Sequence, residues 1–196
     1  GGYTDTVEKF FYINKRSLQD TSVQVSILDQ TYTGSPISPY VSAKLVTGSV
    51  NVEYPLVEGV DYNVTFYNNT NIGTAYADLV GINNFSGTKS TSFQIQAKSI
   101  TNFYVMPIED QSYAGGEAIC PAPIVLDESG NILVAHRDYS VQYWNNTSVG
   151  LAGVEITGQG IYQGKTGANF NIVAATLDDV TIEQIADQTY TGSQIV

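Results

Sequence analysis

The feature that most constrains this 196-residue chain is internal repetition. A segment of the form Asp-Gln-x-Tyr-x-Gly begins at Asp29, at Asp110 and again at Asp187. A longer segment, Asp-Tyr-x-Val-x-(Phe or Tyr)-x-Asn-Asn-Thr, begins at Asp61 and returns 77 positions later at Asp138. A fixed period of this length is typical of repeated structural units. The sequence therefore predicts successive copies of one small module rather than a single large domain.

Matching positions elsewhere keep nearly the same spacing. Phe93 and Phe170 are again 77 positions apart, whereas Tyr32 and Tyr113 are 81 positions apart. The first copy is therefore expected to carry a four-residue insertion, which we place within Gly48–Glu58.

These spacings divide the chain into four predicted segments. Complete copies are expected at residues 17–97 and 98–175. Residues 1–16 are expected to be the closing strand of a preceding repeat, and residues 176–196 the opening segment of a following one. An alternative is that the two partial ends complete one another head to tail between neighbouring chains. Together they lack the Asp-Tyr-x-Val segment, so truncation from a longer array is the preferred interpretation.

Each predicted module is built from β-strands. Tyr139, Val141 and Tyr143 alternate with Ser140 and Gln142, and this alternation indicates a strand with one buried face. The Asn-Asn-Thr that follows favours a tight turn, because asparagine tolerates positive φ. With the two apolar runs that come next, the pattern predicts a three-stranded meander in the second half of each module.

Composition also favours β structure. The chain has 14 Tyr, 7 Phe and 18 Gly with only 14% charged residues, which suits half-buried strands joined by tight turns. Further strands are predicted in the first half of each module: near Ser22–Leu28, Ile37–Leu45 and Val50–Tyr54 in the first copy, and near Phe103–Ile108, Ala118–Leu126 and Ile132–Ala135 in the second. Six or seven short strands in about 77 residues predict an all-β, two-sheet sandwich.

Together with a third motif, (Phe or Tyr)-x-Gly-x5-Phe-x-Ile at Phe85–Ile95 and Tyr162–Ile172, these segments resemble bacterial immunoglobulin-like repeats. The resemblance covers essentially the whole chain. Such repeats occur in large surface proteins, adhesins and multidomain secreted enzymes of anaerobic Gram-positive bacteria, where they mostly space or display other domains. The resemblance implies tandem immunoglobulin-like β-sandwich modules in an extracellular, cell-surface or secreted protein.

The charge balance narrows the range of partners. The formal net charge is −11, from 19 acidic and 8 basic residues, whereas binding to nucleic acid or to an anionic membrane surface needs clustered Lys and Arg. No apolar run reaches transmembrane length. The expected partners are neighbouring repeats of the same chain and a host or cell-surface glycan or protein.

Catalysis is not predicted. Nucleophilic catalysis needs a suitable base, and the only histidine, His136, is expected in a variable loop. The chain has a single cysteine, Cys120, which excludes an internal disulfide framework and favours a bacterial surface over a eukaryotic secretory origin. Cys120 is expected to be a small packed or partly exposed thiol. We therefore predict no enzyme activity and no cofactor.

The recurring aspartates allow two interpretations. Asp29, Asp110 and Asp187 are candidate calcium ligands, but capping of the turn that follows each one explains the recurrence as well, and a hard cation needs several convergent oxygens. Asp61 and Asp138 begin equivalent strands and are expected to accept hydrogen bonds from backbone amides. We therefore predict no metal site.

Two aromatic residues are the candidate ligand contacts. Tyr67 and Trp144 occupy equivalent positions at a strand end, and alternation turns them away from the buried face. Exposed aromatic side chains stack on sugars or seat a partner, and packing on a neighbouring loop or sheet is the alternative.

The leading functional prediction is a non-catalytic stalk that holds a terminal domain away from the cell wall. The short junction Gln96-Ala97-Lys98 predicts that successive modules touch and that the array is stiff. The alternative prediction is a carbohydrate-binding accessory module of a secreted enzyme, with Tyr67 or Trp144 in an exposed aromatic platform.

Overall fold

A computed structural model of the chain describes residues 7–48, 51–176, 181, 183–189 and 192. This part of the chain contains β-strands and turns and no helix. In particular, it has no helical segment with the length and hydropathy needed to span a bilayer. The chain divides into two compact units, Gly1–Lys98 and Ser99–Val196. Residues 1–6 and about half of residues 176–196, which belong to the two predicted partial repeats, lie outside the described residues.

Within its described residues, the first unit contains nine strands in three sheets. The strands are β1 (Arg16–Ser17), β2 (Val23–Ile27), β3 (Gln30–Thr31), β4 (Val41–Thr47), β5 (Val52–Pro55), β6 (Tyr62–Tyr67), β7 (Gly73–Gly81), β8 (Phe85–Ser86) and β9 (Thr88–Gln96). The sheet orders are β1-β8, β2-β4-β5 and β3-β9-β7-β6. The three-stranded and four-stranded sheets contribute residues to one apolar cluster, which gives the unit a curled, sandwich-like arrangement.

The second unit repeats this arrangement, except that within its described residues the counterpart of the β2-β4-β5 sheet has two strands instead of three. Its strands are β10 (Lys98–Ser99), β11 (Tyr104–Val105), β12 (Gln111–Ser112), β13 (Val125–Leu126), β14 (Tyr139–Trp144), β15 (Gly150–Gly158), β16 (Tyr162–Gln163) and β17 (Lys165–Val173). They pair in the orders β10-β16, β11-β13 and β12-β17-β15-β14. The all-β fold predicted from the sequence is therefore confirmed, with sandwich-like sheets in each unit.

The four-stranded sheets contain the predicted meanders. β6, β7 and β9 are joined in succession by antiparallel pairing, and so are β14, β15 and β17. Gly73 faces Ile95 in the first sheet and Gly150 faces Ile172 in the second, so the registers agree at positions 77 apart. The alternating apolar residues of β6 and β14 fix these registers, because a shift by one residue would turn every buried side chain outward.

Each unit has its own apolar core. Tyr62 and Tyr139, at equivalent sequence positions, have only 2% and 3% of their surface exposed, and each donates its hydroxyl to a backbone carbonyl, that of Val41 at 3.3 Å and that of Pro123 at 3.0 Å. Both tyrosines therefore bury a ring without leaving a polar atom unpaired. The other buried apolar residues of the cores are Leu18, Val23, Val41, Ala43, Leu56, Ala75, Ala77, Leu79, Phe85, Phe93 and Ile95 in the first unit, and Ile100, Phe103, Val125, Leu133, Ala152, Val154, Ile156, Phe170 and Ile172 in the second.

The Asn-Asn-Thr segments form the turns that the sequence predicts. The first asparagine of each has positive φ, 53° at Asn68 and 52° at Asn145. The second asparagine bonds a loop from the first half of the unit: the amide of Asn69 donates to the Ile37 carbonyl at 2.9 Å. The amide of Asn146 makes the matching bond to the Ile119 carbonyl at 3.1 Å. These residues therefore connect the meander to the rest of each unit.

The first-half strands are shorter than the sequence predicts, most clearly in the second unit. The segments expected at Phe103–Ile108 and Ala118–Leu126 form only the two-residue strands β11 and β13, and Ile132 makes a single bridge to Leu126. Pro107, Pro121 and Pro123 lie in these segments, and proline lacks the N–H that continued pairing requires.

Candidate functional site

On the outer face of the four-stranded sheet in the first unit, several side chains pack around Tyr67. Tyr67 on β6 faces Tyr76 on β7, and their rings stack with centroids 5.4 Å apart and planes at 13°. The Tyr67 hydroxyl donates to Asp78 Oδ1 at 3.3 Å, and the Ser90 hydroxyl donates to the same oxygen at 2.6 Å. Partial burial and the nearby Asp78 carboxylate raise the pKa of Tyr67. Each ring covers one face of the other, and the two residues remain 41% and 37% exposed.

The same place in the second unit is built differently. Trp144 on β14 faces Gly153 on β15, and Gly153 faces Asn169 on β17. A Cβ atom added to Gly153 would lie only 2.3 Å from Trp144 Cζ2 and 2.5 Å from Cε2, so the indole lies directly over the glycine backbone. The Trp144 residue nevertheless keeps 41% of its surface exposed. Trp144 is therefore as exposed as Tyr67, but its ring rests on the backbone of the opposite residue instead of on a second ring.

Polar groups surround this ring. Gln142 faces Glu155, next to the Trp144–Gly153 pair. Glu155 Oε1 forms an ion pair with Lys165 Nζ at 2.6 Å. A depression of about 230 Å³ is lined by Gln142, Tyr143, Trp144 and Glu155. The second residue facing Glu155 is Gly167, which adds no side chain to the surface. We define the Trp144 shelf as Trp144, Gly153, Gly167 and the polar residues Gln142, Glu155 and Asn169.

The recurring aspartates bond the closing strand of each unit. Asp29 Oδ1 accepts the backbone amide of Gln94 at 2.8 Å, and its Oδ2 accepts the side-chain amide of Gln96 at 3.2 Å. Asp110 Oδ1 accepts the side-chain amide of Asn171 at 3.1 Å. This pairing gives their recurrence a structural reason without a cation. Asp187 is exposed. Among the described residues, no three His, Cys, Asp or Glu side chains are grouped so that they would hold a metal ion.

Asp61 and Asp138 hold the turn before the meander, as the sequence predicts. Asp61 Oδ2 accepts the amide of Val57 at 2.8 Å, and Asp138 Oδ2 accepts the amide of Val134 at 2.7 Å. Asp138 is buried and also accepts two hydrogen bonds from the Arg137 guanidinium, at 2.9 and 2.8 Å. The Arg137 hydrogen bonds lower the pKa of Asp138, against the opposing effect of burial.

His136 and Cys120 lie in turns and loops. His136 has a φ of 65° and donates its backbone amide to the Tyr139 carbonyl at 2.8 Å. In the first unit Gly59 takes this place, with a φ of 78° and the same bond to Tyr62. His136 thus occupies a left-handed turn position, which histidine tolerates better than most residues. Cys120 is exposed, which agrees with the partly exposed thiol rather than the packed one among the two expected environments.

Sequence reasoning identified Tyr67 and Trp144 but missed the residues beneath them. Whether either ring stands upright or lies flat depends on the residue opposite, which is Tyr76 in one unit and Gly153 in the other. The sequence does contain a sign of this difference, because Tyr76 and Gly153 are themselves 77 positions apart. Using it requires the strand register, because the facing residue lies on the neighbouring strand.

The sheets and cores define an all-β protein with two sandwich-like units. No protein-family model matches the chain, and no curated protein matches it.

Proposed function

We propose that the two units are tandem immunoglobulin-like modules of a non-catalytic stalk in a large extracellular bacterial surface or fibre-forming protein. The observation that supports this most is the agreement between the units. Buried tyrosines, the order of the four-stranded sheet and the pairing registers of its meander recur in both units, and the polar turn residues recur with them. The residues common to both units form the strands, the turns and the apolar cores, as expected for modules that space or display other domains. The net charge of −11 supports a role at a surface that must resist nonspecific association.

Residues 7–15 supply a second argument for an array. Phe11 and Ile13 are 82% and 88% exposed. Their sequence counterparts in the first unit are Phe93 and Ile95, which are 2% and 1% exposed on β9. Apolar residues in a strand pattern are stabilised only when a sheet covers them. We therefore propose that residues 7–15 are the closing strand of another module of the same kind.

A strand transplant tests this equivalence. When residues 6–14 replace Thr88–Gln96, we expect the first unit to fold cooperatively, because Phe11 and Ile13 then occupy the buried places of Phe93 and Ile95. Some stability should be lost, since Glu8 would replace Ser90 beside Asp78. Amide exchange of β6 and β7 measures the result.

The matched control carries the same nine residues in an order that turns both apolar side chains outward. We expect it to leave β6 and β7 unprotected. If the transplant and its permuted control behave alike, residues 7–15 are not a closing strand of this type.

Single-molecule extension of the full chain tests the mechanical role. A stalk module must resist tension, so we expect two separate unfolding events, each lengthening the chain by roughly 25 nm, the extended length of about one module less its folded length. A chain that extends smoothly, or in one event, would contradict the stalk proposal. Loss of one event in a variant with one unit unfolded would assign the events to the units.

A further inference from the structure

We propose that the Trp144 shelf binds neutral hexose polysaccharide, an activity separate from the stalk role. The first observation is the indole, which rests on the Gly153 backbone while Trp144 keeps 41% of its surface exposed. A pyranose ring has an apolar face of C–H groups that matches an aromatic plane. Tryptophan provides the largest such plane among the side chains, at a small cost in conformational entropy.

The second observation is that three differences between the units together change what surrounds this ring. Where the first unit has Tyr67, Tyr76 and Ser90, the second has Trp144, Gly153 and Gly167. Glycine within a strand weakens the strand and often marks a place where a ligand or another backbone approaches closely. Gly153 makes room for the indole, and Gly167 has the Val154 carbonyl only 2.4 Å from where its Cβ would lie. The larger ring and the two glycines replace a stacked aromatic pair by a single indole that rests on the sheet backbone.

The third observation is the set of polar groups at the edge of the ring. The Gln142 and Asn169 amides donate and accept hydrogen bonds, and the Glu155 carboxylate accepts them, so together they suit a ligand with many hydroxyls. The Lys165 ion pair balances the charge of Glu155. The remaining charge of the chain is strongly negative, at −11, which opposes uronic acids and other anionic polymers. Hydroxyl-rich but uncharged glycans fit this chemistry best.

Trp144 is the only tryptophan in the chain, so its fluorescence reports directly on the shelf. We would titrate the full chain with cellohexaose, laminarihexaose and maltohexaose, and with an oligogalacturonate as the anionic comparison. We expect a saturable change in Trp144 emission with at least one neutral oligosaccharide and none with the oligogalacturonate. Amide chemical shifts should change in β14, β15 and β17 and remain constant in β6 and β7.

Matched variants separate the shelf from the fold. Trp144→Leu keeps an apolar side chain over Gly153, and binding followed by amide shifts should weaken about tenfold or more. Tyr67→Leu makes the same change at the equivalent position of the first unit and should leave affinity unchanged. Gly153→Tyr recreates the first unit's stacked aromatic pair and should abolish binding, with amide exchange showing that β14 and β15 remain paired.

Three results would overturn the proposal. One is the absence of any saturable response to the neutral oligosaccharides up to their solubility limits. Another is retention of full affinity by a folded Trp144→Leu chain. The third is stronger binding of oligogalacturonate than of the neutral chains.

Discussion

Replacing Gly158 by valine is expected to unfold the second unit under conditions in which the first remains folded. A Cβ atom at this position would lie 2.7 Å from the backbone nitrogen of Gln163 and 2.9 Å from the carbonyl carbon of Tyr162. Both are main-chain atoms, so no side-chain rotation relieves the contact. We expect a loss of roughly 3 kcal/mol or more in the free energy of unfolding. Denaturant titration followed by Trp144 fluorescence measures it, because that signal belongs to the second unit alone.

Gly81→Val is the matched control in the first unit. Its Cβ would lie 2.6 Å from the Ser86 backbone nitrogen, so the steric conflict is the same. The Trp144 transition should then stay at the wild-type denaturant concentration, while the transition of the first unit moves. Equal loss of both transitions in both variants would show that the units do not fold independently and would contradict their interpretation as separate modules.

The second large effect is expected from Tyr139→Ala. Truncation would empty the centre of the core and leave the Pro123 carbonyl without its hydrogen bond. Losses of about 3–5 kcal/mol are typical when a buried aromatic side chain is cut to alanine. Tyr139→Phe keeps the ring and removes only the hydroxyl, so we expect it to lose about 1 kcal/mol. Denaturant titration followed by Trp144 fluorescence distinguishes the two variants.

Tyr104→Ala provides the comparison for that result. Tyr104 lies on β11 of the same unit but is exposed, so its truncation should change the unfolding free energy by about 0.5 kcal/mol or less. If Tyr104→Ala and Tyr139→Ala were equally damaging, the buried tyrosine would not be the centre of the core that the structure indicates.

The second half of each unit was predictable because its local signals agree. Alternation in Tyr62–Tyr67 and Tyr139–Trp144, the asparagine turns and the glycines that begin and end β7 and β15 all specify the same meander. When local preference and overall fold agree in this way, the structure of each segment can be predicted from that segment alone.

The first half was less predictable because its apolar residues favour strands, whereas its prolines lack the N–H groups that strand pairing needs. Ile119 and Ile124 suggest a strand, yet the prolines between and beside them leave only β13. The parallel pairs β1-β8 and β3-β9 were not foreseen either, since each joins segments more than 60 residues apart in sequence. The orientation of Trp144 escaped prediction for a related reason: it depends on Gly153 across the sheet.

The parallel pairs have a consequence for how each unit resists a pull. β1, where the chain enters the first unit, runs parallel to β8, and β9, where it leaves, runs parallel to β3. Pulling on both ends draws these neighbours past each other along their length, in shear, so their hydrogen bonds must rupture together rather than unzip one by one. The Asp29 bonds to β9 add to this clamp. Rupture strength is thereby concentrated at the entry and exit points, which leaves distant hairpins such as β4–β5 free to vary in length without mechanical penalty.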